Sequence, residues 1–211
     1  MKSNDNFRFI DDLTSRYPSL AKCKSDIEAA VAAILDSYSS GGKILLCGNG
    51  GSAADCEHIA GELLKGFISK RPPKSHELMG LSINLGSEDA AKLQRGIPAI
   101  PLPSITGAVS AFVNDVAPEL VYAQLVYALA KPSDLLICLS TSGNSKNVVA
   151  AAKVAKSLGI KTVSLTGNGG GALLKASDVC ICVPECETYK VQEYHLPVYH
   201  AICAEVERIL F

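Results

Sequence analysis

Residues 44–62 (ILLCGNGGSAADCEHIAGE) constrain the fold of this chain more than any other stretch, because a buried strand, a glycine turn and a helix start follow one another without a gap. Ile44 to Cys47 is a short apolar run of the kind found in a strand covered on both faces. Gly48-Asn49-Gly50-Gly51 lets the backbone turn tightly and approach a ligand without Cβ clashes. Ser52 then stands at a helix start, where free N–H groups and the positive end of the helix dipole suit a phosphate or another anion. His58 and Glu62 follow at i and i+4, so they share one face of that helix.

A second unit of the same type appears downstream. Residues 135–139 (LLICL) read as a central parallel strand, apolar on both faces. Ser140-Thr141-Ser142-Gly143-Asn144-Ser145 follows directly, then a helix over about 146–158. Four hydroxyls, a glycine and the next helix's free N–H groups form a cradle of neutral donors for a phosphate, and no Walker-type G-x-x-x-x-G-K-[ST] is present. Alone, such a turn is also an ordinary helix cap. Its pairing with the Gly48–Ser52 turn at an equivalent strand end favours the binding reading.

Around these two units the chain reads in order. Apolar positions at Leu20, Ile27, Ala30, Val31, Ile34 and Leu35 predict a helix over 19–39 that Gly41-Gly42 ends. It either covers one face of the sheet or packs on a partner subunit. The helix from Ser52 should fade near Phe67, and Pro72-Pro73 stops regular structure. Residues 81–85 read as a strand, 88–93 as a helical turn or two, and the proline-rich 97–103 as an edge strand. A helix is expected from Ser104 toward Val113, interrupted by Asn114-Asp115. Another opens at Pro118, whose ring suits a first helical position. Strands at 162–165 and 179–183 flank a glycine turn at 167–171, and a last helix runs over about 191–210.

Strands alternating with helices predict an α/β protein, a three-layer αβα sandwich with a central parallel sheet and ligands at the carboxyl ends of its strands. At 211 residues and 48% hydrophobic content, one domain over 1–211 is expected, with an N-terminal helical segment of about 1–40. A net charge of −1 offers no basic field for nucleic acid. Residues 1–18 lack a signal-peptide core and no run is long enough to span a membrane, which predicts a cytoplasmic protein. Of the eight cysteines, 47, 138, 180, 182 and 203 sit in apolar surroundings and read as buried free thiols. Cys180-Ile181-Cys182 is strand alternation, too closely spaced for a zinc knuckle.

His58 and Glu62 on one helical face can chelate a divalent ion, and Gln192 and His200, eight apart, lie on nearly the same side of the last helix. Singly, each is as well explained as a surface or core side chain; His195 and His76 stay under that explanation. Taken together, CGNGGS at 47–52 with His58 and Glu62, Asn114-Asp115, STSGNS-x-N at 140–147, LTG at 165–167, and QE-x-H at 192–195 with His200 resemble the phosphoheptose isomerases of the sugar isomerase (SIS) family. The resemblance runs from about residue 20 onward, apart from an apparent insertion at about 73–95.

The resemblance implies the SIS fold, which is flavodoxin-like. It implies that Asn49, Gly50, Gly51, Ser52, Ser140, Thr141, Ser142 and Ser145 bind the sugar phosphate, and that Asn114 and Asp115 contact the sugar chain. His58, Glu62, Gln192 and His200 resemble the family's zinc ligands, with Glu62 and Gln192 also meeting substrate. Glu62 is then the general base and His200 the general acid. The implied reaction interconverts sedoheptulose 7-phosphate and D-glycero-D-heptose 7-phosphate, feeding heptose to lipopolysaccharide or other surface polysaccharide. The implied assembly is a homotetramer with sites at subunit interfaces. A non-catalytic SIS-fold regulator or sugar-phosphate sensor, of the type that binds the replication initiator, is the alternative.

Three departures from the pattern carry their own expectations. The insertion is placed to form a lid over the substrate's distal hydroxyls, and Pro197 is placed to kink the helix bearing Gln192 and His200. Thr188-Tyr189-Lys190 stands where many relatives have an arginine before the Gln-Glu pair.

Overall fold

A computed structural model of the chain describes residues 7–211; the start of the expected N-terminal segment, residues 1–6, lies outside the described residues. Five strands, β1 (Ile44–Cys47), β2 (Ala99–Pro101), β3 (Leu135–Ser140), β4 (Lys161–Thr166) and β5 (Val179–Cys182), form one sheet in the order β2-β1-β3-β4-β5. Every pairing is parallel, with Leu45 opposite both Ile100 and Leu136. The order steps outward in both directions from the β1/β3 pair, and in open α/β sheets that reversal opens a crevice at the strands' carboxyl ends.

The period-2 alternation of the strands assigns their side chains to two cores. Ile44, Leu46, Leu135, Ile137 and Leu139 pack under α1 (Arg8–Arg16), α2 (Lys24–Ser39), α3 (Gly51–Leu64) and α10 (Thr188–Leu210). Leu45, Cys47, Leu136 and Cys138 face α7 (Val121–Leu129) and α8 (Lys146–Ser157). Both central strands are buried along their whole length, which explains their unbroken apolar runs. Asp134 pins the start of this pair by accepting from the Lys43 and Lys131 backbone N–H groups at 2.9 and 2.7 Å, with the Lys43 ammonium beside it.

The helix expected over 19–39 begins as a 3-10 turn, Pro18–Cys23, before α2 takes over. Ahead of it α1 buries Ile10 and Leu13 and is tied to α10 by the Phe9 N–H, 2.7 Å from Glu205 Oε2. The apolar faces of the first and last helices thus pack on each other within the chain. The proline-rich segment is an edge strand, β2, as expected. After it come α6 (Thr106–Asp115), whose last turn contains Asn114 and Asp115, and a 3-10 turn at Pro118–Leu120 leading into α7.

The strand expected at 81–85 is a correction: those residues form the second half of α4 (Ser75–Leu85), followed by the short α5 (Ser87–Ala90). No strand partner is at hand there, whereas Leu78, Leu81 and Leu85 follow helical spacing. Glu77 Oε2 accepts from the Lys74 N–H at 2.7 Å and fastens the first turn. The whole excursion is closed at its base by the Arg95 N–H on the Arg71 carbonyl, 2.7 Å.

α3 stops at Leu64, short of Phe67, because the next N–H groups find another acceptor. Phe67, Ile68 and Ser69 all donate to the Glu207 carboxylate at 2.8–2.9 Å. Arg71, fully buried, joins that carboxylate at 2.7 Å and donates to the Leu63 and Glu62 carbonyls at the end of α3. α9 (Leu173–Ala176) lies under the 167–171 turn, and α10 runs through Pro197 as one 23-residue helix. All eight cysteines are free; 47, 138 and 203 are buried as expected, while 180 and 182 are only half-buried.

Candidate active site

Both glycine and serine turns lie at the carboxyl ends of β1 and β3, on either side of the sheet's crevice. Gly50 has φ +55°, a left-handed conformation that glycine adopts without strain, and it delivers the chain into α3. A Cβ on Gly51 would come within 2.4 Å of the Gln192 carboxamide nitrogen and push that side chain aside. Ser52 is buried at that helix start. Across the crevice, Ser140 Oγ and Ser145 Oγ share a 2.9 Å hydrogen bond, and Gly143 turns the loop with φ +66°. Asn144 stiffens it by accepting from the Ala172 N–H and donating to the Ser142 carbonyl.

Neither Gly50, ahead of α3, nor Ser145, ahead of α8, places a side-chain cap on the helix that follows. Two helix N-termini therefore point their positive ends into one crevice, the arrangement that suits a phosphate. The Asn49 and Asn147 carboxamides join the two turns in a reciprocal pair, 2.9 Å in each direction.

One and a half to three turns further along α3 lies a polar cluster. His58 Nε2 is 3.3 Å from Glu62 Oε1 and 3.3 Å from His200 Nε2, contributed by α10. Glu62 Oε2 is buried with no hydrogen-bond partner, its nearest cation being Lys65 Nζ at 3.6 Å. On the far side of the His58 ring, Nδ1 is 3.0 Å from the Tyr199 hydroxyl, which lies 3.2 Å from Asp55 Oδ1. Burial holds the His200 pKa below its usual value, His58 lowers it further, and Glu62 pulls it back. A half-buried carboxylate beside two imidazoles is an acid–base constellation.

The SIS domain model matches residues 8–167. A phosphoheptose isomerase of Roseiflexus is 40% identical over 88% of this chain and 82% of its own length, and one of Akkermansia muciniphila is 35% identical over 94% and 93%. The chain belongs to the phosphoheptose isomerases of the SIS family. The solved phosphoheptose isomerase of Francisella tularensis matches the fold with a TM-score of 0.73 at 27% identity, covering 94% of this chain and 97% of that one. That of Neisseria gonorrhoeae gives 0.69 at 29%, over 94% and 98%.

Within this SIS chain, the structure brings His58, Glu62 and His200 together, and sets Asn49 to Ser52 opposite Ser140 to Ser145. Gln192 lies instead against Gly51, and eight residues of helix put it about 12 Å along the axis from His200. Asn114 and Asp115 are exposed at the end of α6, hydrogen-bonded to each other at 2.7 Å. The insertion starts beyond Leu64, about 20 Å along α3 from the turn at Gly51. It encloses a cleft of about 620 Å³ lined by Pro73, His76, Leu81, Leu93 and Arg95, none of them a candidate site residue.

Two imidazoles and a carboxylate are zinc-type ligands, and a spacing near 3.3 Å is about the edge of a tetrahedron whose metal–ligand distances are about 2.0–2.1 Å. Both pairs around His58 meet that spacing. No group of three or more His, Cys, Asp or Glu among the described residues is already arranged to hold an ion, so the set fits zinc by chemistry and pair spacing and needs side-chain adjustment to close.

Sequence reasoning missed Asp55, Tyr199, Arg71 and Glu207. Asp55 lies at i−3 from His58 and Tyr199 is next to His200, so local spacing offered a signal for the first pair. The buried Arg71–Glu207 pair spans 136 residues and offered none.

Proposed function

We infer that this chain is a phosphoheptose isomerase, converting sedoheptulose 7-phosphate to D-glycero-D-heptose 7-phosphate by proton transfer through an enediol. One observation carries the reading: α3 has an uncapped, phosphate-type N-terminus and, further along the same helix, an acid–base cluster. Ser52 and His58 are six residues apart, about 9 Å along the axis, and an extended seven-carbon sugar phosphate spans about that length. Phosphate at the turns therefore sets the carbonyl end at Glu62 and His200.

The residues then divide the work. The Gly51 backbone N–H, with the hydroxyls of Ser52, Ser140, Thr141, Ser142 and Ser145, holds the phosphate and fixes the chain's direction. Gln192, against Gly51, and Asn49 meet the sugar's hydroxyls. Glu62, whose Oε2 is free of hydrogen bonds, takes the proton from one carbon and returns it to the next. With no ion bound, His200 Nε2 donates to the oxygen that becomes a hydroxyl, and burial holds its pKa below the usual value. A zinc ion would be held by His58, Glu62 and His200, with Gln192 joining only if its carboxamide swings away from Gly51. The chemistry such an ion would supply there is polarisation of the carbonyl and an offset to the negative charge that develops as the proton is removed.

We also read the working form as a cytoplasmic homotetramer that binds no nucleic acid and feeds heptose to surface polysaccharide. Support for assembly comes from Val113, Val116, Leu120 and Tyr127, exposed around the end of α6 and along α7. Asn114 and Asp115 lie in that exposed patch, which supports their meeting substrate in a neighbouring subunit's site. No described helix is long and apolar enough to cross a membrane.

The test is direct. Pure protein given sedoheptulose 7-phosphate, with and without added zinc, should form an aldose, while Glu62→Gln should lose at least about 100-fold in kcat yet still bind the sugar phosphate. A wild type that binds the sugar phosphate without turnover would favour the sensor.

A further inference from the structure

The side chains behind His58 have no part in the reaction as described, and their geometry is specific. Tyr199 is buried with its hydroxyl between two acceptor-capable atoms, Asp55 Oδ1 at 3.2 Å and His58 Nδ1 at 3.0 Å. The Tyr199 and His58 rings meet edge to face with centroids 5.4 Å apart. Asp55 Oδ2 is buried and makes no hydrogen bond. Asp55 is one helical turn before His58 on α3, and Tyr199 directly precedes His200 on α10, so the chain Asp55–Tyr199–His58 bolts the two helices together beside the acid–base cluster.

The geometry points to Asp55 and Tyr199 as positioning residues that hold the His58 ring by Nδ1 and set its tautomer, so that an Nε2 lone pair faces Glu62 and His200. This inference rests on the isomerase reading only for its kinetic consequence. A carboxylate can only accept, so the Tyr199 hydroxyl directs its single proton to Asp55 Oδ1. Its oxygen then accepts from His58, which places the imidazole proton on Nδ1 and leaves Nε2 unprotonated. That nitrogen is the one 3.3 Å from both Glu62 Oε1 and His200 Nε2. If Tyr199 lacked its hydroxyl, Nδ1 would lose its acceptor. The proton would move to Nε2, where Glu62 Oε1 waits, and His58 would turn a donor toward the site in place of a lone pair. The same exchange would remove a ligand from any divalent ion bound there, as expected when the outer partner of a ligating histidine is lost.

The experiment uses the full chain as wild type, Tyr199→Phe and Asp55→Ala. Tyr199→Phe keeps the buried ring, and Asp55→Ala, at a partly exposed helix position, is the second variant in case the first disturbs folding; it removes the acceptor at Oδ1, so the Tyr199 hydroxyl turns its proton to His58 Nδ1 and the imidazole proton should move to Nε2 as well. Histidine ¹⁵N shifts, with His58 assigned through His58→Gln, report the tautomer. Competition with a chromogenic chelator reports zinc affinity, and kcat and KM are measured with sedoheptulose 7-phosphate. The wild type should show His58 protonated on Nδ1. Tyr199→Phe should move that proton to Nε2, weaken zinc about 10- to 100-fold, and lower kcat with little change in KM, because the phosphate turns are untouched. Variants with the wild-type tautomer and zinc affinity would overturn the inference. A wild type without turnover would overturn the isomerase reading instead, and the tautomer would still decide this one.

Discussion

His195 shows how far one residue's setting can differ from its appearance in the sequence. It is fully buried on α10, and neither ring nitrogen makes a hydrogen bond of good geometry, although the Thr166 carbonyl lies near enough to favour the protonated form. Desolvation dominates and lowers its pKa to about 4. The folded state therefore keeps it neutral while the unfolded chain takes a proton below about 6.5. That contribution is fully present above pH 6.5 and lost as pH falls toward 4, about 2 kcal/mol of it by pH 5. Urea unfolding of wild type and His195→Leu across pH 7 to 5 checks it: the variant should lose this part of the pH slope. The expectation left His195 as a surface or core side chain, and its burial decides for the core; its lack of a good hydrogen bond was not legible, because it depends on what the 166–167 turn presents to it.

At the scale of elements, the segment after α3 is held by a charge pair. Glu207 and Arg71 are almost wholly buried, and Glu207 collects three backbone N–H groups as well. Burial alone would raise the Glu207 pKa; the three N–H groups and Arg71 outweigh it and leave the pKa lowered. Its stabilisation is thus present above the ordinary glutamate range and fades in acid. Glu207→Ala should cost about 3–5 kcal/mol by chemical denaturation, since it leaves Arg71 buried and unpaired. It should also loosen the end of α3, where Arg71 binds the Glu62 and Leu63 carbonyls, and so reduce kcat. The helices and strands that this pair connects were readable from periodicity. The end of α3 was not, because a carboxylate 140 residues away supplies the acceptor for the Phe67 N–H.

At the scale of the molecule, the first and last helices are occupied with each other, and apolar side chains are left exposed around α6 and α7 and, on the excursion after α3, at Met79 and Ile83. Val116 and Tyr127 are 66% and 69% exposed. Light scattering on the wild type should give a tetramer, and Val116→Asp with Tyr127→Asp should yield smaller species with the fold intact. A monomeric wild type would count against sites shared between subunits. Sheet order also belongs to this scale: parallel strands were expected from their unbroken apolar runs, but the β2-β1-β3-β4-β5 order follows from which edge each crossover returns to.

Sequence alone determined what local chemistry determines: buried strands from apolar runs, phosphate-type turns from glycine and serine after a strand, and His58 with Glu62 on one face from helical spacing. Tertiary structure decided everything that depends on distant residues meeting. It set His200 beside His58 and Gln192 beside Gly51, turned residues 81–85 into helix where no strand was available to pair, and placed Tyr199 between Asp55 and His58. Periodicity specifies which face of an element a side chain occupies, but only the packing of one element on another specifies what that face meets.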